Sequence, residues 1–89
     1  MVIGYKALSE TLTSIAGQHF QYEIGKTYET ESCKIHEGFH FCLYPNDCEH
    51  FVGKNNRLFK VAALGEIESL DGYQYATNKI MILEEIGKE

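Results

Sequence analysis

Phe39-His40-Phe41-Cys42-Leu43-Tyr44-Pro45-Asn46-Asp47-Cys48 sets two structural periods side by side. Phe39, Phe41 and Leu43 recur at every second position, which puts them on one face of a strand and His40 and Cys42 on the other. Pro45 then suits the first turn of a helix, where its missing N–H costs nothing, and Gly53 is a natural stop. In that helix Cys48, Phe51 and Val52 share the apolar side. A strand that hands over directly to a helix makes the expected fold class α+β, a small single domain of mostly antiparallel sheet with one or two short helices.

The flanks extend this reading. Arg57 to Leu64 alternates with Phe59, Val61 and Ala63 on one face, while Ile80-Met81-Ile82-Leu83 is apolar on both faces and suits a central strand. Val2 to Ala7 reads as an opening strand. Ser9 is placed to cap a short helix whose Leu12, Ile15 and Ala16 share a face before Gly17 ends it, although Thr11 and Thr13 are poor helix formers. Phe20-Gln21-Tyr22-Glu23-Ile24 alternates with Phe20, Tyr22 and Ile24 inward, and Gly25-Lys26 turns the chain toward a strand at Thr27-Tyr28-Glu29.

Eighty-nine residues make one domain, 1–89, in which about 60–65% of the unfolded surface is buried. The formal net charge of −5 opposes sequence-independent binding to nucleic acid, which needs cations to displace counterions from phosphate. Three cysteines do not all pair within one chain, and Met1 to Lys6 lacks the apolar run of a secretory signal, so a reduced, cytoplasmic setting in a bacterial host cell is expected. No apolar run approaches the roughly 18–20 residues that span a bilayer, so no membrane association is expected.

Six of the seven cysteine and histidine residues fall between Cys33 and His50. Thiolate and imidazole bind zinc and attack carbonyl carbon, so chemistry, if present, belongs there. The spacing Cys33-x₂-His36-x₃-His40-x-Cys42-x₅-Cys48-x-His50 is irregular beside the paired ligands of structural zinc sites. Cys33, His40, Cys42 and Cys48 are the metal-ligand candidates. The plainer reading packs Cys42 and Cys48 between strand and helix as small hydrophobes, and no cofactor is expected.

Enzymatic motifs are incomplete. A zinc deaminase needs Glu two residues after its His and Cys immediately after its Pro, where this chain has Cys42 and Asn46. Gly25-Lys26-Thr27 resembles the end of a phosphate-binding loop, but Phe20 occupies the place of its first glycine. A His40–Cys42 nucleophilic pair on one strand face stands about 6–7 Å apart, too far for a direct hydrogen bond. No catalytic residue is therefore assigned.

Phe20-Gln21-Tyr22-Glu23-Ile24-Gly25-Lys26-Thr27-Tyr28-Glu29, Gly38-Phe39-His40-Phe41-Cys42, Tyr44-Pro45-Asn46-Asp47-Cys48, Val61-Ala62-Ala63-Leu64-Gly65-Glu66-Ile67 and Ala76-Thr77-Asn78-Lys79-Ile80 together resemble an uncharacterised domain-of-unknown-function family of bacteriophages and prophage-bearing bacteria. The resemblance covers most of the chain and departs from the family at Ser14 to His19. It implies a phage or prophage setting and a compact domain, but no activity. The expected function is that of a small accessory protein acting by protein–protein contact, possible targets being a host or defence factor. The alternative is a metal-binding or cysteine-dependent domain centred on Cys33–His50. Tyr22, Tyr28, Tyr44, Tyr73 and Tyr75 are candidates for the contact surface, and Glu84, Glu85 and Glu89 read as a solvated acidic end.

Overall fold

The computed structural model describes residues 1–14, 20–32, 38–45, 47–48, 56–69, 72 and 74–86. Among these residues seven strands form one antiparallel sheet: β1 (Val2–Leu8), β2 (Thr27–Glu29), β3 (Phe39–Cys42), β4 (Arg57–Ala63), β5 (Ile67–Ser69), β6 (Gln74–Thr77) and β7 (Lys79–Glu85). Their order is β2-β7-β4-β1-β3-β6-β5.

That order hides a continuous ribbon. β6 and β7 lie far apart in the sheet, yet only Asn78 separates them in the chain. On the other arm, β4 runs into β5 through Leu64, Gly65 and Glu66. The two arms stay hydrogen-bonded across the junction, Leu64 N–H donating to the Lys79 carbonyl at 2.8 Å and Asn78 N–H to the Glu66 carbonyl at 3.3 Å. Residues 57–69 and 74–85 are thus one long antiparallel hairpin with a corner in it.

A bulge makes the corner. Ala63 pairs with Ile80 and Ile67 with Thr77, four residue steps on one arm against three on the other. One extra residue in one arm bends and twists a ribbon. Gly65 fits because a Cβ there would fall 3.0 Å from Asn78 Cγ and against its Oδ1, the atom that accepts the Glu66 N–H at 2.8 Å. Two of the phrases that carry the family resemblance, Val61–Ile67 and Ala76–Ile80, are the two sides of this corner.

The bend closes the sheet on itself. β4 pairs with β1, β1 with β3, β3 with β6, and β6 continues into β7, which returns to β4. Such a circuit encloses its inward side chains as a small barrel does. Leu8, Tyr22, Phe39, Phe41, Phe59, Val61, Ala63, Ile80 and Ile82 form the core, with Val2, Leu12, Tyr28, Leu43 and Tyr75 packed against it. Gly4 in β1 is required where β1 meets β3, since a Cβ would come within 2.6 Å of both the Cys42 carbonyl oxygen and the Phe41 ring.

The expected α+β class is overturned: the fold is all-β, and among the described residues there is no α-helix. At Ser9 the side chain accepts N–H bonds from Thr11 and Thr13, as a helix cap does, but Leu12 then takes a φ of 63°, in the left-handed region that a right-handed helix excludes. Leu8 and Thr13 instead bridge to Ser14 and Gln21. Ile15, Ala16 and Gly17 lie outside the described residues. After β3, Pro45 opens a tight turn in which Asp47 N–H donates to the Tyr44 carbonyl at 3.0 Å. Phe51, Val52 and Gly53 lie outside the described residues.

The alternating faces of β3 and β4 stand as expected, with Phe39, Phe41, Phe59, Val61 and Ala63 buried. The run Phe20 to Ile24 does not form a named strand: Tyr22 is buried, while Phe20 and Ile24 are exposed. β7 is an interior strand, between β2 and β4, but β1 is the central one. Glu85 is not a solvated end. Its carboxylate takes a bidentate pair of bonds from Arg57 across β4 and β7, at 2.9 and 2.8 Å, and Arg57 also donates to the Glu10 carbonyl.

Candidate functional site

His40 and Cys42 point away from the core face of β3, as the period of two requires, and Cys42 is nevertheless buried. The turn after β3 supplies the cover. Cys42 Sγ lies 3.6 Å from the Asp47 carbonyl oxygen, and Cys48, also buried, is hydrogen-bonded to Cys42 through the thiols. Cys42 and Cys48 are not joined to each other by a disulfide. Their hydrogen bond, reinforced by burial, pushes the Cys48 thiol well above its ordinary pKa.

Lys6 lies within electrostatic range of this pair. Val2, Gly4, Lys6 and Leu8 share one parity of β1, so a cation occupies an otherwise apolar row. β1 and β3 register at the single pair Tyr5–Cys42, and the Lys6 ammonium adds a second link between the strands, donating to the His40 carbonyl at 2.6 Å. It also lies 5.6 Å from the centre of the Tyr22 ring, an arrangement that favours the charged form. Burial nevertheless brings its pKa down to about 8, against the opposing pull of Cys48 and Cys42.

Of the four candidate metal ligands, Cys42 and Cys48 come together, His40 is half-buried on the neighbouring strand position, and Cys33 lies outside the described residues. His36 and His50 lie outside them as well. Among the described residues, no three of His, Cys, Asp or Glu are placed to hold a metal ion. Chemically, the region offers a lysine that is partly neutral near pH 8 within electrostatic range of two thiols, of which Cys48 is held in its protonated, weakly nucleophilic form. Lys6 was not singled out in the sequence. The available signal was a cation at a core-facing position of an alternating strand.

A second feature lies at the margin of the sheet. β5 is an edge strand, and every residue from Leu64 to Ser69 is exposed. Glu66 turns its carbonyl toward Asn78, so by alternation Ile67 and Ser69 direct their N–H and C=O groups to the open side. Glu66 and Glu68 share one face. Across the ladder Glu68 stands opposite Ala76, with no counter-charge, whereas at the other edge Glu29 of β2 stands opposite Lys79. Among the proposed contact tyrosines, Tyr22 is buried, Tyr28 and Tyr75 pack against the core, Tyr44 is 66% exposed and Tyr73 lies outside the described residues.

The family model for "Domain of unknown function (DUF7666)" matches residues 2–89, from the first strand to the end of the chain. The chain belongs to the DUF7666 family. No curated protein and no solved structure matched it. Among the described residues of this DUF7666 domain, no helix is long and apolar enough to cross a membrane.

Proposed function

We propose that this DUF7666 domain is a small accessory protein of phage or prophage type that acts in the bacterial cytoplasm by contact with another protein, a host or defence factor being the class of target. The open β5 edge supports this reading, since among the described residues no strand pairs with its outward backbone groups, on a negatively charged, exposed strand. The net charge of −5 favours a basic protein surface over nucleic acid.

The reading is tested by affinity capture from bacterial lysate at low and high salt, alongside titration with double-stranded DNA. The expected result is a discrete protein partner whose capture weakens as salt screens the charges, and no DNA binding at physiological salt. Tight DNA binding overturns it, as does turnover of a small substrate that Cys42→Ser abolishes with the fold intact.

The buried contact of Cys42 with Cys48 supports a second reading, a cysteine-dependent or metal-binding domain in which these two thiols would be joined by further groups. Elemental analysis of the purified protein separates the two. Stoichiometric zinc whose removal lowers the melting temperature favours the second.

A further inference from the structure

We infer that the β5 edge is a strand-addition site for an extended segment of a partner protein in which basic and apolar residues alternate. The inference rests on the protein-contact reading and names its surface and the chemistry of its partner. An added strand is held by main-chain hydrogen bonds, and its specificity comes from alternate side chains. Here the outward N–H and C=O groups of Ile67 and Ser69 supply the bonds. The side-chain rows fix the partner's pattern: Glu66 and Glu68 on one face call for lysine or arginine two positions apart, and the 38%-exposed Ile67 on the other face calls for an apolar residue between them.

The same charges select against a second copy of this chain. Antiparallel pairing of two β5 strands about Ile67 sets Glu66 of each copy opposite Glu68 of the other, and like charges directly opposed destabilise a strand pair. Exposed charge on an edge is a general guard against self-association. At β5 that guard leaves one class of strand welcome, one that brings cations. β2, the other edge, differs because Glu29 stands opposite Lys79 and Lys26 lies 5.9 Å from the Tyr28 ring centre.

The test uses the full chain and a short labelled peptide alternating lysine and valine, with an otherwise identical peptide alternating glutamate and valine as control. Binding is read by fluorescence anisotropy and by amide NMR. The expected result is saturable binding of the basic peptide, with new hydrogen-exchange protection at the Ile67 and Ser69 amides and an affinity loss of about tenfold or more for Glu66→Lys with Glu68→Lys. Ser69→Pro, which removes one outward N–H at an edge position that tolerates proline, is expected to weaken binding while leaving the melting temperature unchanged.

Absence of peptide binding, binding insensitive to both variants, equal binding of the acidic peptide, or dimerisation of the chain through β5 each overturns the inference. The two proposals fail differently. A protein partner still captured by the β5 variants removes the strand-addition site and leaves the contact reading in place; no protein partner under any condition removes both.

Discussion

The two halves of the bent hairpin share a strand direction and stay hydrogen-bonded across the corner, and they have opposite surroundings. In the β4–β7 half, Phe59, Val61, Ala63, Ile80 and Ile82 are all sealed from solvent, and β1 and β2 cover its margins. In the β5–β6 half, β6 is covered by β3 while every residue of β5 is exposed. Backbone pairing alone therefore does not decide what a strand contributes. The corner at Gly65 and Asn78 turns one ribbon into a load of buried apolar surface on one side and an open edge on the other.

The largest expected effect comes from emptying the buried half. Phe59→Ala removes a fully enclosed ring and should cost about 3–5 kcal/mol, enough to unfold most of so small a domain. Urea denaturation checks this, and a midpoint equal to the parent's would contradict the placement of Phe59 in the core. Next comes the corner itself. Gly65→Ala should cost about 1–3 kcal/mol because the new methyl displaces the Asn78 amide and breaks its bond to Glu66 N–H. In Asn78→Ala the obstacle is already gone, so the double variant should lose less than the two single losses combined. Strict additivity in that cycle would sink the steric account.

A smaller effect is carried by pH. The folded pKa of Lys6 is lowered from 10.5 to about 8, so between those values the unfolded chain holds a proton that the folded chain has released, and stability rises with pH. The slope is at most about 1.4 kcal/mol per pH unit. Cys48 has a raised folded pKa and gives the opposite slope above its ordinary value of 9.0, and Tyr22, raised chiefly by burial, adds to that fall above 10.0. The visible rise is thus confined to about pH 8–9, where melts should show a gain of about 1 kcal/mol or less that Lys6→Met abolishes. A rise that persists in the variant would assign it to another group. The smallest effect belongs to the open half: Ile67→Ala and Glu68→Lys should each change stability by no more than about 0.5–1 kcal/mol.

The sequence made the buried half legible and left the corner opaque. Phe59, Val61 and Ala63, like Phe39 and Phe41, repeat at a period of two long enough to fix both the strand and its inward face. Gly65 carries no sign that separates a bulge within a paired ribbon from an ordinary loop, so the continuity of β4 with β5 stayed hidden. β5 and β6 are short, and Ile67-Glu68-Ser69 buries nothing that would mark it as a strand. Ser9 was misread because a hydroxyl that accepts N–H bonds from the following residues looks the same at a helix start and at a tight turn; the left-handed Leu12 decides between them. Cys42 and Cys48 are buried as the packing of small hydrophobes suggests, but under a tight turn and not between strand and helix, while Lys6 needed the single-pair register of β1 with β3 before its role was visible.

Native-state hydrogen exchange followed residue by residue tests the division of the ribbon most directly. The amides that pair β4 with β7 should exchange only with global unfolding, and those of Ile67 and Ser69, a few residues further along the same arm, should exchange at nearly unprotected rates in the absence of a partner. Strong protection of Ile67 and Ser69 in the isolated monomer would contradict the account, because it would mean that the β5 edge is already covered.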